Sequence, residues 1–373
     1  MKKFLFAALT ILFFFSASGQ GSNEHYLIIG TYTSGKSEGI YVYKFNSVTG
    51  ESSQVSKIFT SNPSFVTVSP DEKFLYAVNE DQPGGVTAFS FDKMTGTLKM
   101  LNKQPSGGDD PCYITTYKTG KWVVAGNYTG GNLSVLPVSK DGSLGTATDI
   151  VNHTGSSVNS ARQEKPHVHS TVFSKDYKYL YVPDLGIDKV MIYSFDSKNG
   201  KLKPAATPEV LVEAGSGPRH FDFHPNGKFA YLMEELTGSI SVYYYGKKGS
   251  LSLQQNITAL PHDYLGSMGS ADIHVSPDGK FLYGSNRGES NTIAIFSIDQ
   301  HTGKLTARGH QSTLGKAPRN FNFDPTGKFL LVANQNSDEI VVFKRDIQTG
   351  LLTDTGKRIQ VPNPVCLKWI NTK

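Results

Sequence analysis

Six times in this chain a lysine and an aromatic residue open a short apolar run that ends in polar residues. The copies are KFLYAVNE (Lys73–Glu80), KWVVAGNY (Lys121–Tyr128), KYLYVPD (Lys178–Asp184), KFAYLMEE (Lys228–Glu235), KFLYGSNR (Lys280–Arg287) and KFLLVANQ (Lys328–Gln335). Their aromatic positions are separated by 48, 57, 50, 52 and 48 residues. One further step of 48 back from Phe74 falls on Tyr26, the start of YLIIGTY, a seventh copy without its lysine. A repeat of about 50 residues built from short strands and turns predicts an all-β fold, a seven-bladed β-propeller.

Each unit supplies four antiparallel strands. Before the Lys-aromatic run lies an alternating strand such as PRHFDFH (Pro218–His224) or PRNFNFD (Pro318–Asp324), joined to it by turns such as HPNGK and DPTGK. Proline, Asn or Asp and glycine supply the backbone angles of a tight hairpin. A third strand such as KVMIYSFD or TIAIFSID follows, then a less regular fourth. The N-terminus begins with a second strand (Tyr26–Tyr32), and the C-terminus ends in an unpaired innermost one (Val365–Ile370). The two are expected to share a blade, so that the last strand closes the ring and removes its open edges.

The first twenty residues are a pattern of their own. Lys2 and Lys3 precede an apolar run, Phe4–Phe15, and Ala17, Ser18 and Gly19 offer a cleavage site. This predicts a secretory signal peptide over 1–19 and a single propeller domain over 20–373, exported to a periplasm or secreted. The apolar run is short for a membrane span. Cleavage lowers the formal charge from +5 to +3, and no basic block suggests nucleic acid. Cys112 and Cys366 have no metal-type or redox-type spacing; a disulfide between them is open but not argued by spacing, and two buried thiols are the expected reading. A closed ring needs no partner to bury its edges, so a monomer is expected.

Strand direction decides where function concentrates. Starts of innermost strands and ends of second strands meet at one rim. The starts bring His169, Arg219, His220, Asp272 and Arg319; the ends bring Glu80, Asn127, Asp184, Glu235, Arg287 and Gln335. Two long connections on the same side, Asn152–His167 and His262–Gly269, are expected to wall the mouth. Three arginines around one depression suit an anionic ligand, because guanidinium pairs with carboxylate or phosphate in bidentate fashion. His220, Asp222, Asp272 and His274 alternate along inner strands, where ties between blades are an equal expectation. His167 and His169 form an HxH pair without a third ligand, so no metal and no cofactor are assigned.

At these residues the chain resembles the lactonase family of seven-bladed propellers, which includes 6-phosphogluconolactonases of propeller type. The motifs are GSGPRHFDFHPNGKFAYLMEEL (Gly215–Leu236), SADIHVSPDGKFLYGSNR (Ser270–Arg287) and APRNFNFDPTGKFLLVANQ (Ala317–Gln335). The resemblance implies lactone hydrolysis, with site groups carried over as His169, Arg219, His220, Glu235, Asp272, His274, Arg287 and Arg319. Two departures are Tyr113, where the family usually has histidine, and Glu234, where Asn is common.

The expected chemistry is hydrolysis of an anionic or sugar-derived lactone in the propeller mouth. His169, Arg219, His220 and Glu235 are the catalytic candidates; Glu80, Asn127, Asp272, His274, Arg287 and Arg319 are the substrate-binding ones. Arg219, Arg287 and Arg319 would hold an anionic group and polarise the carbonyl. Glu235 or His220 would deprotonate water, and His169 would protonate the departing alkoxide. The alternative is a non-catalytic exported propeller that binds a carbohydrate or peptide, since fold alone does not fix activity.

Overall fold

The computed structural model describes residues 23–372; the leader expected over 1–19 lies outside the described residues. Seven four-stranded antiparallel sheets succeed one another, their innermost strands packed side by side around one axis. The first blade combines Glu24–Thr31, Gly39–Asn46 and Ser52–Phe59 with Pro364–Asn371 as its innermost strand. Tyr26 pairs with Ile370 and Gly30 with Cys366, so the closure expected from the two ends is observed.

The second strands are the most buried elements. Trp122–Asn127, Phe229–Glu234, Phe281–Asn286 and Phe329–Asn334 are buried along their whole length, which explains their continuous apolar runs. The fourth strands, such as Leu251–Thr258, face solvent along much of theirs. Neighbouring blades share apolar layers: Tyr231, Met233 and Val242 pack with Ile273, Leu282 and Phe296 of the next sheet.

In three copies of the Lys-aromatic-X-Tyr motif the tyrosine fastens one blade to the next, whereas the Tyr76 hydroxyl of the copy at Lys73 has no such partner among the described residues. The hydroxyl of Tyr181 donates to the Gly249 carbonyl at 2.6 Å, Tyr231 to Gly303 at 3.0 Å and Tyr283 to Gly350 at 2.6 Å. Each bond satisfies a buried phenol and contributes about 1 kcal/mol. The hairpin turns are fixed locally. In SPDGK the Asp278 carboxylate accepts from the Ser276 hydroxyl and the Lys280 amide, while Gly279 takes φ +71°. A Cβ there would also press on the His224 ring at 2.8 Å.

Two innermost strands are shorter than expected, Val66–Val68 and Val172–Phe173. In the latter blade the approach to the strand stays against its own second strand, the His169 amide donating to the Pro183 carbonyl and the His167 amide to the Asp184 carboxylate, while the Ser170 hydroxyl donates to the Arg219 carbonyl of the next blade. Both cysteines are free and buried.

The closing strand buries Val365, Cys366, Leu367 and Ile370. Such side chains contribute roughly 1.5–3 kcal/mol each, which together rivals the 5–15 kcal/mol or so of a typical domain. Deleting residues 364–373 is therefore expected to give an aggregating chain without a cooperative thermal transition. A soluble truncated protein that melts like the full chain by calorimetry would refute this account of closure.

Candidate active site

The mouth holds a cavity of about 550 Å³, and three rings of side chains descend from it along the axis. The uppermost ring comes from the residue just after each second strand. Tyr32, Glu80, Tyr128, Glu235, Arg287 and Gln335 occupy this repeat position and all line the cavity. Residues one place earlier turn the other way, because a single step along a strand reverses the side chain. Asn127 accordingly donates to the Ser106 carbonyl and to Asn132, wholly buried between strands. Asp184 is likewise withdrawn, bonded to His153 at 2.6 Å and capping the His167 and Gly186 amides. The expectation that Asn127 and Asp184 face the mouth is thus corrected. Tyr32 and Tyr128 take the places at the rim, and the 48-residue step that links Tyr32, Glu80 and Tyr128 is the signal that identifies them.

The second ring arises from a backbone irregularity. In five blades the innermost strand slips register by one residue at its start, leaving Val365, Cys112, Arg219, Ala271 or Arg319 as the extra residue. Such a bulge re-aims side chains. Consecutive residues, Arg219 and His220 for example, both reach the axis. Cys112, His169 and Arg319 of this ring line the mouth. Arg219 lies just beneath, 1% exposed, at a constriction of only about 10 Å³.

The third ring lies deeper, around a separate chamber of about 90 Å³ lined by His220, Asp222, Asp272, His274, Asn320 and Tyr113. His220 Nδ1 is 2.7 Å from Asp272 Oδ1, and His274 Nε2 is 3.0 Å from Asp272 Oδ2. The Asn320 amide also donates to Asp272, and the Leu367 amide donates to Asn320 Oδ1 at 2.8 Å. This network ties four consecutive blades. His220, Asp272 and His274 are therefore placed below the mouth, not in it, because the bulge moves the rim up by one residue. Of the two departures from the family pattern, Tyr113 stacks on Phe65 in the deep chamber. Glu234 accepts from Ser241 and Asn256 inside its own blade, so neither lines the mouth.

Charge at the mouth is organised around Glu235. Its Oε2 accepts from Arg219 Nε at 2.8 Å and its Oε1 from Arg162 Nη2 at 2.7 Å, while Arg287 Nη2 forms an ion pair with Oε2 at 3.1 Å. His169 Nε2 stands 3.9 Å from Oε2. Burial opposes ionisation of this carboxyl, but Arg287, Arg219, His169 and Arg162 outweigh it and hold the group well below the usual range. Burial, together with Arg219 and His220, keeps the His169 imidazole neutral, well below its ordinary value. Burial and Arg219 likewise bring His220 down to about 4. Arg287 also donates to the Gly269 carbonyl and is lowered by burial to about 10, which leaves it charged at neutral pH.

The two long connections wall the mouth as expected. Arg162 comes from the first, and Met268 and Gly269 from the second. The first is pinned at both ends: His153 and the His167 amide bond Asp184, Ser157 donates to Asp188, and the Gln163 amide donates to the Leu185 carbonyl. Across the cavity, Glu80 accepts from the Tyr32 hydroxyl, and the Arg319 guanidinium lies over the Tyr32 ring at 5.3 Å. Among the described residues Arg319 forms no ion pair and no hydrogen bond, so its donors are free for a ligand. Among the same residues no group of three or more His, Cys, Asp or Glu is disposed to hold a metal ion.

A seven-bladed ring with an ion-paired axial mouth defines the class, and comparison with known proteins defines the family. The profile of the lactonase family, described as a seven-bladed β-propeller, matches residues 26–369. The chain belongs to that family. It is similar to a 6-phosphogluconolactonase of Formosa agariphila, 40% identical over 87% of this chain and 94% of the relative. The Bacillus subtilis 6-phosphogluconolactonase is 37% identical over 92% of this chain and 97% of its own. The structure of a Pseudomonas aeruginosa periplasmic gluconolactonase superposes with a TM-score of 0.90 at 36% identity, covering 94% of this chain and all of that one.

Replacing Glu235 by Gln strands three guanidiniums around a neutral amide. Breaking a buried pair in this way costs about 3–5 kcal/mol, to be read from the urea midpoint. The sign with pH follows from the depressed folded value. The stability contributed by Glu235 is present above the unfolded carboxyl value of 4.5 and is lost as pH falls below it. The Gln variant is therefore expected to show a shallower acid dependence than the parent. An unchanged midpoint would mean that the guanidiniums do not depend on this carboxylate.

Proposed function

We propose that this protein is a lactonase that opens a sugar-acid lactone in the propeller mouth, with an anionic lactone of the 6-phosphogluconolactone type as preferred substrate. Family membership and the names of the full-length relatives support lactone hydrolysis. The observation that carries the anionic preference is Arg319, a guanidinium in the mouth with no carboxylate partner of its own. Arg162, Arg219 and Arg287 are by contrast all engaged with Glu235.

The geometry supports a revised division of labour. His220 does not reach the mouth cavity, and Glu235 is too weakly basic to take a proton. His169 is neutral and lines the cavity, so it deprotonates the attacking water. The Glu235 carboxylate beside it stabilises the imidazolium that forms. Arg287 faces the cavity and stabilises the developing oxyanion, a contribution of about 3 kcal/mol for a preset donor. Arg219 acts through Glu235 as a positioning residue. The leader-like residues 1–19 favour export, in keeping with the periplasmic location of the Pseudomonas relative. No helix among the described residues is long and apolar enough to cross a membrane.

The test is turnover of a panel containing 6-phosphogluconolactone, gluconolactone, galactonolactone and a muconolactone. Arg319→Gln is expected to raise KM for the phosphorylated lactone by roughly tenfold or more, the worth of one charge-assisted bond, and to spare gluconolactone. His169→Gln should lower kcat by about 10²–10⁴. Because His169 is held below 6.5, kcat/KM should stay level as pH falls through 6.5 and decline only further down. Binding of these lactones without turnover would favour the non-catalytic alternative.

A further inference from the structure

Opening a lactone expels an aliphatic alkoxide, which is too basic to leave without a proton. His169, held neutral, accepts the proton as water attacks, and the imidazolium it becomes is stabilised beside the Glu235 carboxylate, so a separate donor near the ring oxygen would let the second transfer proceed without waiting on that proton. The mouth offers few. Arginines retain their protons. The Cys112 thiol and the Tyr128 phenol are both pushed up by burial, a rise that Arg162, donating to the Tyr128 oxygen, offsets only in part. The Tyr32 phenol is likewise pushed up by burial and directs its proton at Glu80.

We propose that Glu80 is a second catalytic carboxyl, donating the proton that the ring oxygen takes up as the lactone opens. It sits in the same cavity as Glu235, at the matching repeat position of another blade. Its backbone is fixed by the Glu80 amide donating to the Asn62 carbonyl at 3.0 Å. The Tyr32 hydroxyl lies 2.8 Å from each of its oxygens, which sets the plane of the carboxyl. The two carboxyls have opposite surroundings. Glu235 is gripped by three guanidiniums at hydrogen-bond distance, whereas Glu80 touches a phenol and has Arg319 nearby but not in contact.

Facing Glu80 are Tyr32, Ser64, Arg319 and Asp110. Burial raises its proton affinity, Asp110 adds to that, and Arg319, Ser64 and Tyr32 only partly offset the rise. One carboxyl is thus kept ionised beside His169 while the other is biased toward keeping its proton, a separation of environments that suits the second to an acid role. The step balances. Water attacks the carbonyl carbon as its proton passes to His169, and the ring C–O bond then breaks as the ring oxygen takes the Glu80 proton. His169 returns its proton through solvent, Glu80 is reprotonated, and the product acid ionises.

This inference rests on the lactonase function proposed above, and the test separates the two. kcat is measured against pH for the parent and Glu80→Gln on gluconolactone, whose leaving group is an alkoxide, and on dihydrocoumarin, whose leaving group is a phenolate. The variant is expected to lose roughly a hundredfold in kcat on gluconolactone, with KM little changed. It should lose the alkaline limb of the pH profile and keep most of its rate on the aryl lactone. Tyr32→Phe removes a donor to the carboxylate and should move that limb to higher pH. An alkaline limb that stays in place in Glu80→Gln, or an equal loss on both leaving groups, overturns the acid role. A thermal melt confirms that the variant is folded. Parent protein that turns over no lactone overturns the function proposed above, and this inference falls with it.

Discussion

Seven innermost strands converging on one axis leave no room for a conventional apolar core at the centre, and the rest of the structure follows from that crowding. The apolar layers lie further out, between sheets. At the axis the polar side chains of one blade are satisfied by the next. Asp272 takes bonds from His220, His274 and Asn320, and Asn320 in turn accepts from the closing strand. A buried polar network of this kind is stable only when its members are partnered. Each of these groups therefore finds its environment only once the neighbouring blade has docked.

The same crowding creates the electrostatic asymmetry of the mouth. Glu235 and Glu80 occupy equivalent repeat positions, yet one is surrounded by guanidiniums from three elements and the other is bonded to a phenol. Burial alone would make both carboxyls reluctant to ionise. What separates them is which neighbours the adjacent blades and the 152–167 connection deliver. A near-symmetric scaffold thus produces two chemically distinct carboxyls by varying one residue at a time around the ring.

Much of this was legible in the sequence, and the limits are instructive. The period, the four strands per unit and the closing strand all follow from alternation and turn residues, because these are local signals repeated seven times. Convergence of His169, Arg219, Glu235, Arg287 and Arg319 also follows, from strand direction alone. Asn127 was misplaced because the Asn-Tyr ending of its run does not reveal which residue faces outward, and Asp184 because its blade carries an apolar residue, Leu185, at the rim position. Comparing Glu80 with Tyr32 and Tyr128 at a fixed step resolves that ambiguity. The depth of His220, Asp272 and His274 depends on a bulge, and a bulge of one residue leaves no compositional trace in PRHFDF or SADIHV. Arg162 lies in an irregular loop, where no periodicity locates a side chain.

The closing blade also fixes where the chain emerges. Glu24 opens one strand of that blade and Asn371 ends its neighbour, both on the side away from the mouth, and His25 pairs with Asn371. Asn371 is bonded there to Glu72, in the far-side turn of the next blade. Tethered through either end, whether to a surface, a bead or a fused domain, the propeller would stand with its cavity directed outward, and the anchor would not compete with solutes for entry.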